Sequence, residues 1–411
     1  MSLYTNNISR KRSIPILFCY IPAVFTFLQN MHFLNFSSLT LVTATFVIVL
    51  FLISSRSIKL YFDSTIDYLI LLLSAFILLS VTVSSSFQAS IEFVSIFFIG
   101  ILMYYLLSCN STWIQNFYKA LFFLALINLI ITILSFIDFQ LFKSIFYRFL
   151  TGKAIEFTDS YYSKFGFHAG IMGQTGTNSV VLSMGFPYLV GCISRNEKKI
   201  PYIALFVMFL FGIVITGKRG AFIYVLITSF IIYAIKQSKE PSSLFKKIFA
   251  MIFLLLLLYF AYCFIEPFTI LIDRLIPNSD SVTDLSAHRF DLYSEAISVF
   301  KSNPIIGIGI GAYPVISVYS NNVHNDFLEM FAEMGIFGGL TYLILCLILL
   351  ANSIKLCAAS NKMTESMYLI MFLSLTSMTG IVIYNYGFML IFFVCVAAIR
   401  SEIKDRSNKN E

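Results

Sequence analysis

The sequence predicts an all-α, polytopic membrane protein of about twelve transmembrane helices, and three observations carry that expectation. Of 411 residues, 58% are hydrophobic and only 12% charged, with a mean hydropathy of +0.85; a soluble domain carries about 25% charged residues. Apolar runs of roughly 20 residues recur along the whole chain, each able to cross a ~30 Å hydrocarbon layer as a helix. The short alternating segments of a membrane β-barrel are absent. The windows fall at about 14–30, 37–54, 66–84, 91–108, 118–138, 177–194, 201–216, 220–235, 247–265, 325–351, 365–383 and 386–400.

The basic residues orient these spans. With the N-terminus inside, 19 of the 28 Lys and Arg residues fall in cytoplasmic segments, and 9 stay on the other face although it holds both long loops. That is the bias of the positive-inside rule, so both termini are expected in the cytoplasm. The net charge of +7 therefore reads as orientation, and no nucleic-acid partner is expected. The organisation that follows is an N-terminal transmembrane bundle over 1–265 with an outer loop at 139–176, a periplasmic loop at 266–324, and C-terminal helices with a cytoplasmic tail over 325–411. Arg10, Lys11 and Arg12 precede an apolar run with Pro15 and Pro22 and no small-x-small site, which suits a retained first span better than a signal peptide. The seven cysteines form no CxxC pair and no Cys/His cluster, so neither a disulfide framework nor a zinc site is indicated.

Ionisable residues close to spans are rare, and each is a candidate. Lys218 and Arg219 occupy an outward hairpin between two spans, flanked by Gly217 and Gly220. Snorkelling to the headgroups would explain long cations at helix ends. Against it stand their adjacency, the glycines that permit close backbone approach, and the start of a helix, where backbone N–H groups favour an anion. A phosphate-sized anion satisfies all three. Gly212-x4-Gly217-Lys218 nearly spells a phosphate-binding loop, but Arg219 follows where Ser or Thr belongs and the glycines lie in an apolar span. Gly307, Gly309 and Gly311 likewise lack a surrounding βαβ unit and read as a mobile or tightly turned loop.

The outer segments hold further candidates. Gly166 to Asn178 is Gly-rich. Ser286 to Asn303 reads as an amphipathic helix stopped by Pro304, with Arg289, Tyr293, Ala296 and Phe300 on one face. Arg289 has the planar fork that binds phosphate oxygens in pairs, or else simply packs its stem and reaches water. His324 precedes Asn325 and Asp326, which are natural N-caps; it is either a neighbour of a cap or a group that takes a proton near neutral pH. Glu329 and Glu333 lie one turn apart. Glu333 is about 14 Å along the expected helix, so its carboxylate needs a partner, and Lys218 or Arg219 is the expected one. His168 and His288 have no comparable surroundings.

Three stretches together resemble the bacterial O-antigen polymerase and O-antigen ligase superfamily of integral membrane glycosyltransferases. They are Ile215-Thr216-Gly217-Lys218-Arg219-Gly220-Ala221-Phe222, the run from His288 and Arg289 through Asn303-Pro304 to Gly307 and Gly309, and Val323-His324-Asn325 through Leu328, Glu329 and Glu333 to Gly335 and Gly338. The Gly-rich approach to Asn178 resembles a weaker feature of the family. The resemblance implies a GT-C-like fold, short amphipathic helices in the periplasmic loop, and a multi-pass protein of the bacterial inner membrane. It implies transfer of a glycan from undecaprenyl pyrophosphate to an acceptor glycan's hydroxyl on the periplasmic face, with no cofactor and no metal. Carried over by residue, Arg219 and Arg289 hold the pyrophosphate and His324 is the general base. Asn325, Glu329, Glu333 and Asn178 support them. Lys218 is a departure, since many relatives carry a small polar residue there. The partners implied are a lipid-linked oligosaccharide or polysaccharide, the acceptor, membrane lipids and a chain-length regulator. A polymerase fits the motif pattern best, and a ligase acting on lipid A–core shares the same donor and groups. A lipid-linked-sugar flippase or other transporter would instead line several span midplanes with ionisable residues.

Overall fold

The computed structural model describes residues 18–29, 31, 42–48, 64–195, 199–236, 289–359 and 363–410. Its regular elements are helices: α1 (Ile21–Leu28), α2 (Thr65–Val81), α3 (Phe87–Leu107), α4 (Ile114–Ile137), α5 (Phe139–Phe146), α6 (Gly152–Phe165), α7 (Thr175–Ser183), α8 (Phe186–Ser194), α9 (Lys199–Ile215), α10 (Arg219–Lys236), α11 (Arg289–Ser302), α12 (Asp326–Ala359), α13 (Thr364–Ser377) and α14 (Tyr386–Asn410). Six helical stretches among the described residues are long and apolar enough to cross a membrane, with α7 and α8 forming one such stretch. Shorter apolar helices lie at Thr65–Val81 and Ile200–Ile215. The protein is thus an all-α polytopic membrane protein. The span expected at 247–265, most of that at 37–54, and the loop at 266–288 lie outside the described residues.

α14 is the central post. Its residues from Gly387 to Ser401 are all buried, as expected of a helix apolar on every side. It packs against α1, α3, α12 and α13, while α13 also meets α8, α10 and α12. Contacts sort the helix ends into two sets. At one end Arg195 meets Glu365 at 2.5 Å, Arg400 meets Asp67 at 3.2 Å, and Ser111 bonds Asp405. These residues lie in, or at the span ends next to, segments that the charge pattern assigns to the cytoplasm. The opposite end gathers the 166–176 loop, the 217–219 hairpin, the start of α11, residues 303–325 and the 378–385 loop.

The structure adds helices within one outer segment and corrects two span bounds. The outer segment 139–176 is mostly helical: α5 and α6 are tied by Lys143–Asp159 at 2.7 Å, by Tyr147 donating to Asp159, and by Phe139 stacked on Tyr162. The eleventh span does not run to 383, since α13 stops at Ser377 and a non-helical loop follows. The tenth span is longer than 325–351 and is broken at Gly335, whose φ of 67° and ψ of −167° leave the helix. The break has a partner in the loop after α11. Ile308 and Gly309 donate to the carbonyls of Ala332 and Glu333, and Ile336 donates to Pro304. A Cβ on Gly335 would stand 2.2 Å from the Ile305 carbonyl oxygen, so the two backbones interlock only through glycine. The 307–311 segment is therefore a tight docked turn.

Candidate active site at the outer face

A cavity of about 170 Å³ opens at this second end, the one that the charge pattern assigns to the outer face. By water-sized groups it has room for on the order of ten. Lys218, Arg289 and His324 all line it, together with Gln174, Thr177, Ser179, Tyr224, Thr376, Thr379 and Asn385. The described lining contains two cations, several neutral hydroxyls and amides, and no carboxylate.

Helix starts converge there. The residues at the N-cap and first turn of α7 (Gln174, Gly176, Thr177), of α10 (Lys218, Gly220, Ala221) and at the start of α14 (Asn385, Phe388) all belong to its wall. α12 starts two residues after His324. Helix N-termini carry orphan N–H groups and the positive end of the dipole. That of α7 has no side-chain cap, since Gln174 makes no capping bond. Helix ends beside two cations are an arrangement that suits a multiply charged anion.

The local sequence explains how each group arrives. Two residues past the end of α9 stands Gly217, whose φ of 67° closes the helix as a left-handed cap. The ring of Phe167 packs where its side chain would be, 2.4 Å from an ideal Cβ. Lys218 follows at once, its Nζ 5.2 Å from the Tyr161 ring centre on α6 and its stem beside Gly176. Arg219 is the first residue of α10 and does not line the cavity. The amphipathic helix expected at Ser286–Asn303 is described as α11 from Arg289 to Ser302, with His288 outside the described residues. Its predicted face packs inward, with Ala296 buried and Tyr293 half-buried.

His324 has a left-handed φ of 58°, which histidine tolerates better than most residues. Its neighbours hold it. Glu329 accepts from the Asn322 side chain at 2.6 Å and from the Val323 backbone N–H at 3.0 Å. Asn325 caps α12 by accepting from Leu328 N–H. Tyr293 donates to the His324 carbonyl over a long 3.5 Å. Burial first, then the charges of Arg289 and Lys218, lower the imidazole pKa to about 4. The ring is therefore neutral near pH 7 and able to accept a proton.

Glu333 is placed differently from expectation. Its carboxylate accepts from Gly311 N–H at 2.7 Å, Tyr313 N–H at 2.8 Å and the Tyr384 hydroxyl at 2.7 Å. Two backbone amides and a phenol take the place expected of Lys218 or Arg219, because the interlock at Gly335 brings the 311–313 turn against it. Asn178 is buried outside the lining. It accepts from Asn128 and donates to Thr132 and to the His168 carbonyl, so it fastens the Gly-rich loop to α4. His168 bonds Ser135 at 2.8 Å, and burial lowers its pKa to about 4.

Sequence reasoning missed the 378–385 loop and its anchor, Asp326. That carboxylate accepts from the Ser377 hydroxyl at 2.6 Å and from the N–H groups of Val382 and Ile383 at 3.0 and 3.2 Å. In the sequence, Thr379-Gly380 and Asn385 between apolar runs are the signal of this break, and the apolar windows 365–383 and 386–400 run almost together across it. No three His, Cys, Asp or Glu residues group into a metal site among the described residues.

Residues 204–343 match the family model described as O-antigen ligase. That stretch contains Lys218, Arg219, Arg289 and His324, and it supports the resemblance to the O-antigen polymerase and ligase superfamily. No curated protein matches the chain.

Proposed function

We propose that this protein is a membrane glycosyltransferase that moves a glycan from undecaprenyl pyrophosphate to a sugar hydroxyl at the outer face of the bacterial inner membrane. The observation that carries the reading is the convergence of Lys218, Arg289, His324 and several helix N-termini on one cavity that has no carboxylate among its described lining residues. Arg289 would bind the pyrophosphate through its fork. Arg219 takes the same task from the resemblance, standing at the N-terminus of α10 beside the lining.

In the reaction, the acceptor oxygen bonds to the anomeric carbon as the bond from that carbon to the phosphate oxygen breaks. The electron pair leaves with undecaprenyl pyrophosphate, and the hydroxyl proton passes to the neutral imidazole of His324. Charge grows on the leaving oxygen, where cations and helix dipoles are already oriented. Bound pyrophosphate also offsets the fields of Arg289 and Lys218 at His324, so the imidazole becomes a stronger base once the donor is in place.

The preferred acceptor is another lipid-linked repeat unit, which makes the protein an O-antigen or related polysaccharide polymerase. The description of the matched family favours a second reading, ligation to lipid A–core. The glycan profile of a deletion strain decides between them. Single repeat units capped on core identify a polymerase, and uncapped core with accumulating lipid-linked polymer identifies a ligase. An unchanged glycan profile with wild-type transfer would sink both. Cysteine labelling of Lys218→Cys should place that position outside, and cytoplasmic labelling would overturn the site's sidedness.

A further inference from the structure

The cavity has two kinds of wall. Lys218, Arg289 and His324 lie within the stretch that matches the family, residues 204–343. Much of the neutral polar lining lies outside it: Gln174, Thr177 and Ser179 on α7, and Thr376, Thr379 and Asn385 around the loop before α14. Neutral hydroxyls and amides that both donate and accept suit sugar hydroxyls, whereas phosphate oxygens only accept. A sugar carried on pyrophosphate is one bond from the phosphate, so it must lie against walls that adjoin the cations.

The second wall is also held in a defined shape. Asp326 grips the 377–383 segment through one hydroxyl and two backbone amides. Asn385 caps α14 by accepting from Phe388 N–H. Thr379 shares a 2.6 Å hydrogen bond with Tyr224, which ties the loop to α10 nearly two turns beyond Lys218. Side chains fixed in this way can discriminate between substrates that differ by one polar group.

We propose that the wall formed by α7 and the 376–385 loop selects the sugar joined to the pyrophosphate, with Thr379 as a specificity-determining residue and Asp326 as the positioning residue of the loop. The proposal rests on the glycosyltransferase reading above. The test uses the full-length protein in proteoliposomes with two undecaprenyl-pyrophosphate glycans that differ only at the reducing-end sugar, one 2-acetamido and one 2-hydroxy. The quantity read is the ratio of their kcat/KM values. The wild type favours one donor, and Thr379→Val shifts the ratio by about tenfold, the scale of one hydrogen bond. Asp326→Ala moves the ratio in the same direction. Asp326→Asn, which keeps an oxygen for the amides, returns it to within about threefold of wild type. A purely structural role for Asp326 would slow both donors equally and leave the ratio fixed. A wild type that does not distinguish the donors, or a Thr379→Val ratio equal to that of wild type, overturns the selection proposal while leaving the transferase reading standing. A wild type that transfers neither donor overturns the transferase reading and this proposal with it.

Discussion

The two ends of the helix bundle use the same charged residue types in opposite ways. At the end assigned to the cytoplasm, carboxylates face cations: Glu365 holds Arg195 and Asp67 holds Arg400, the latter with the Tyr104 hydroxyl at 2.6 Å. At the other end Asp159 still pairs with Lys143 on α5 and α6, but the carboxylates of the loops that border the cavity face backbone. Glu295 accepts from Val318 N–H and the Ser317 and Tyr313 hydroxyls, and Asp326, Glu329 and Glu333 hold the segments at 382–383, 322–323 and 311–313. The inner arrangement closes a structure, because a buried charge is stable only when compensated. The outer arrangement uses negative charge to fix loops, while Lys218 and Arg289 stand on the wall of a cavity whose described lining has no carboxylate.

The sharpest way to break this comparison is to remove the outer groups. His324→Ala should lower transfer by about 10²–10⁴-fold, the usual worth of a general base, with binding of the lipid-linked donor kept. Arg289→Ala and Arg219→Ala should each cost about 10²–10³-fold, as loss of one preorganised group at a developing charge does. In Arg289→Ala, thermal stability in detergent should stay within about 0.5 kcal/mol of wild type. Normal product from both arginine variants would remove the pyrophosphate role, and a His324→Ala enzyme with full activity would remove the base.

The inner end should respond in the reverse sense. Arg400→Ala leaves Asp67 buried with its cation gone, and breaking such a pair costs about 3–5 kcal/mol. The variant should unfold at lower temperature, while transfer per folded molecule stays at the wild-type level. Equal stability in Arg400→Ala and Arg289→Ala would show that the two ends do not differ in the way described.

The acid limb of the pH profile sharpens the role of the cations. With its pKa lowered to about 4 by burial, Arg289 and Lys218, His324 is neutral and competent at every pH above that value in the free enzyme. kcat/KM, which reports the free enzyme, should therefore hold down to about pH 4 as far as His324 is concerned. kcat reports the donor complex, where pyrophosphate cancels the positive field and raises the imidazole pKa, so its acid limb should lie at higher pH. Coincident limbs would show that the anion does not sit beside His324.

Much of this was legible in the sequence, for physical reasons that also mark where legibility ended. Span existence follows from composition, and Arg289, His324 and Lys218 stand out because ionisable residues near lipid are rare. The face shared by Arg289, Tyr293 and Ala296 follows from helical spacing. The partners of Glu333 were not legible, since they are backbone N–H groups of Gly311 and Tyr313 brought in by a helix break that Gly335 permits but does not announce. The local sequence around Asp326 signals only a cap, and nothing in it reveals that the carboxylate reaches a loop about fifty residues later. Local pattern locates charges, and only the tertiary path of the backbone decides what they hold.

The smallest expected effect separates the two adjacent cations. Lys218 precedes α10 and its carbonyl accepts from Phe222 N–H at 3.3 Å, while its ammonium lies over the Tyr161 ring at the edge of the cavity. A cation placed over an aromatic face keeps its charge and part of its hydration, and an ammonium binds phosphate as a point charge without the paired geometry of a guanidinium. Lys218→Ala should therefore raise the KM for donor by roughly tenfold, the scale of one charge-assisted contact, and leave kcat nearly unchanged, the signature of binding shared by ground and transition states. Lys218→Arg should restore the KM, since it keeps the charge. A loss of kcat in Lys218→Ala as large as that in Arg289→Ala would instead place Lys218 at the leaving oxygen.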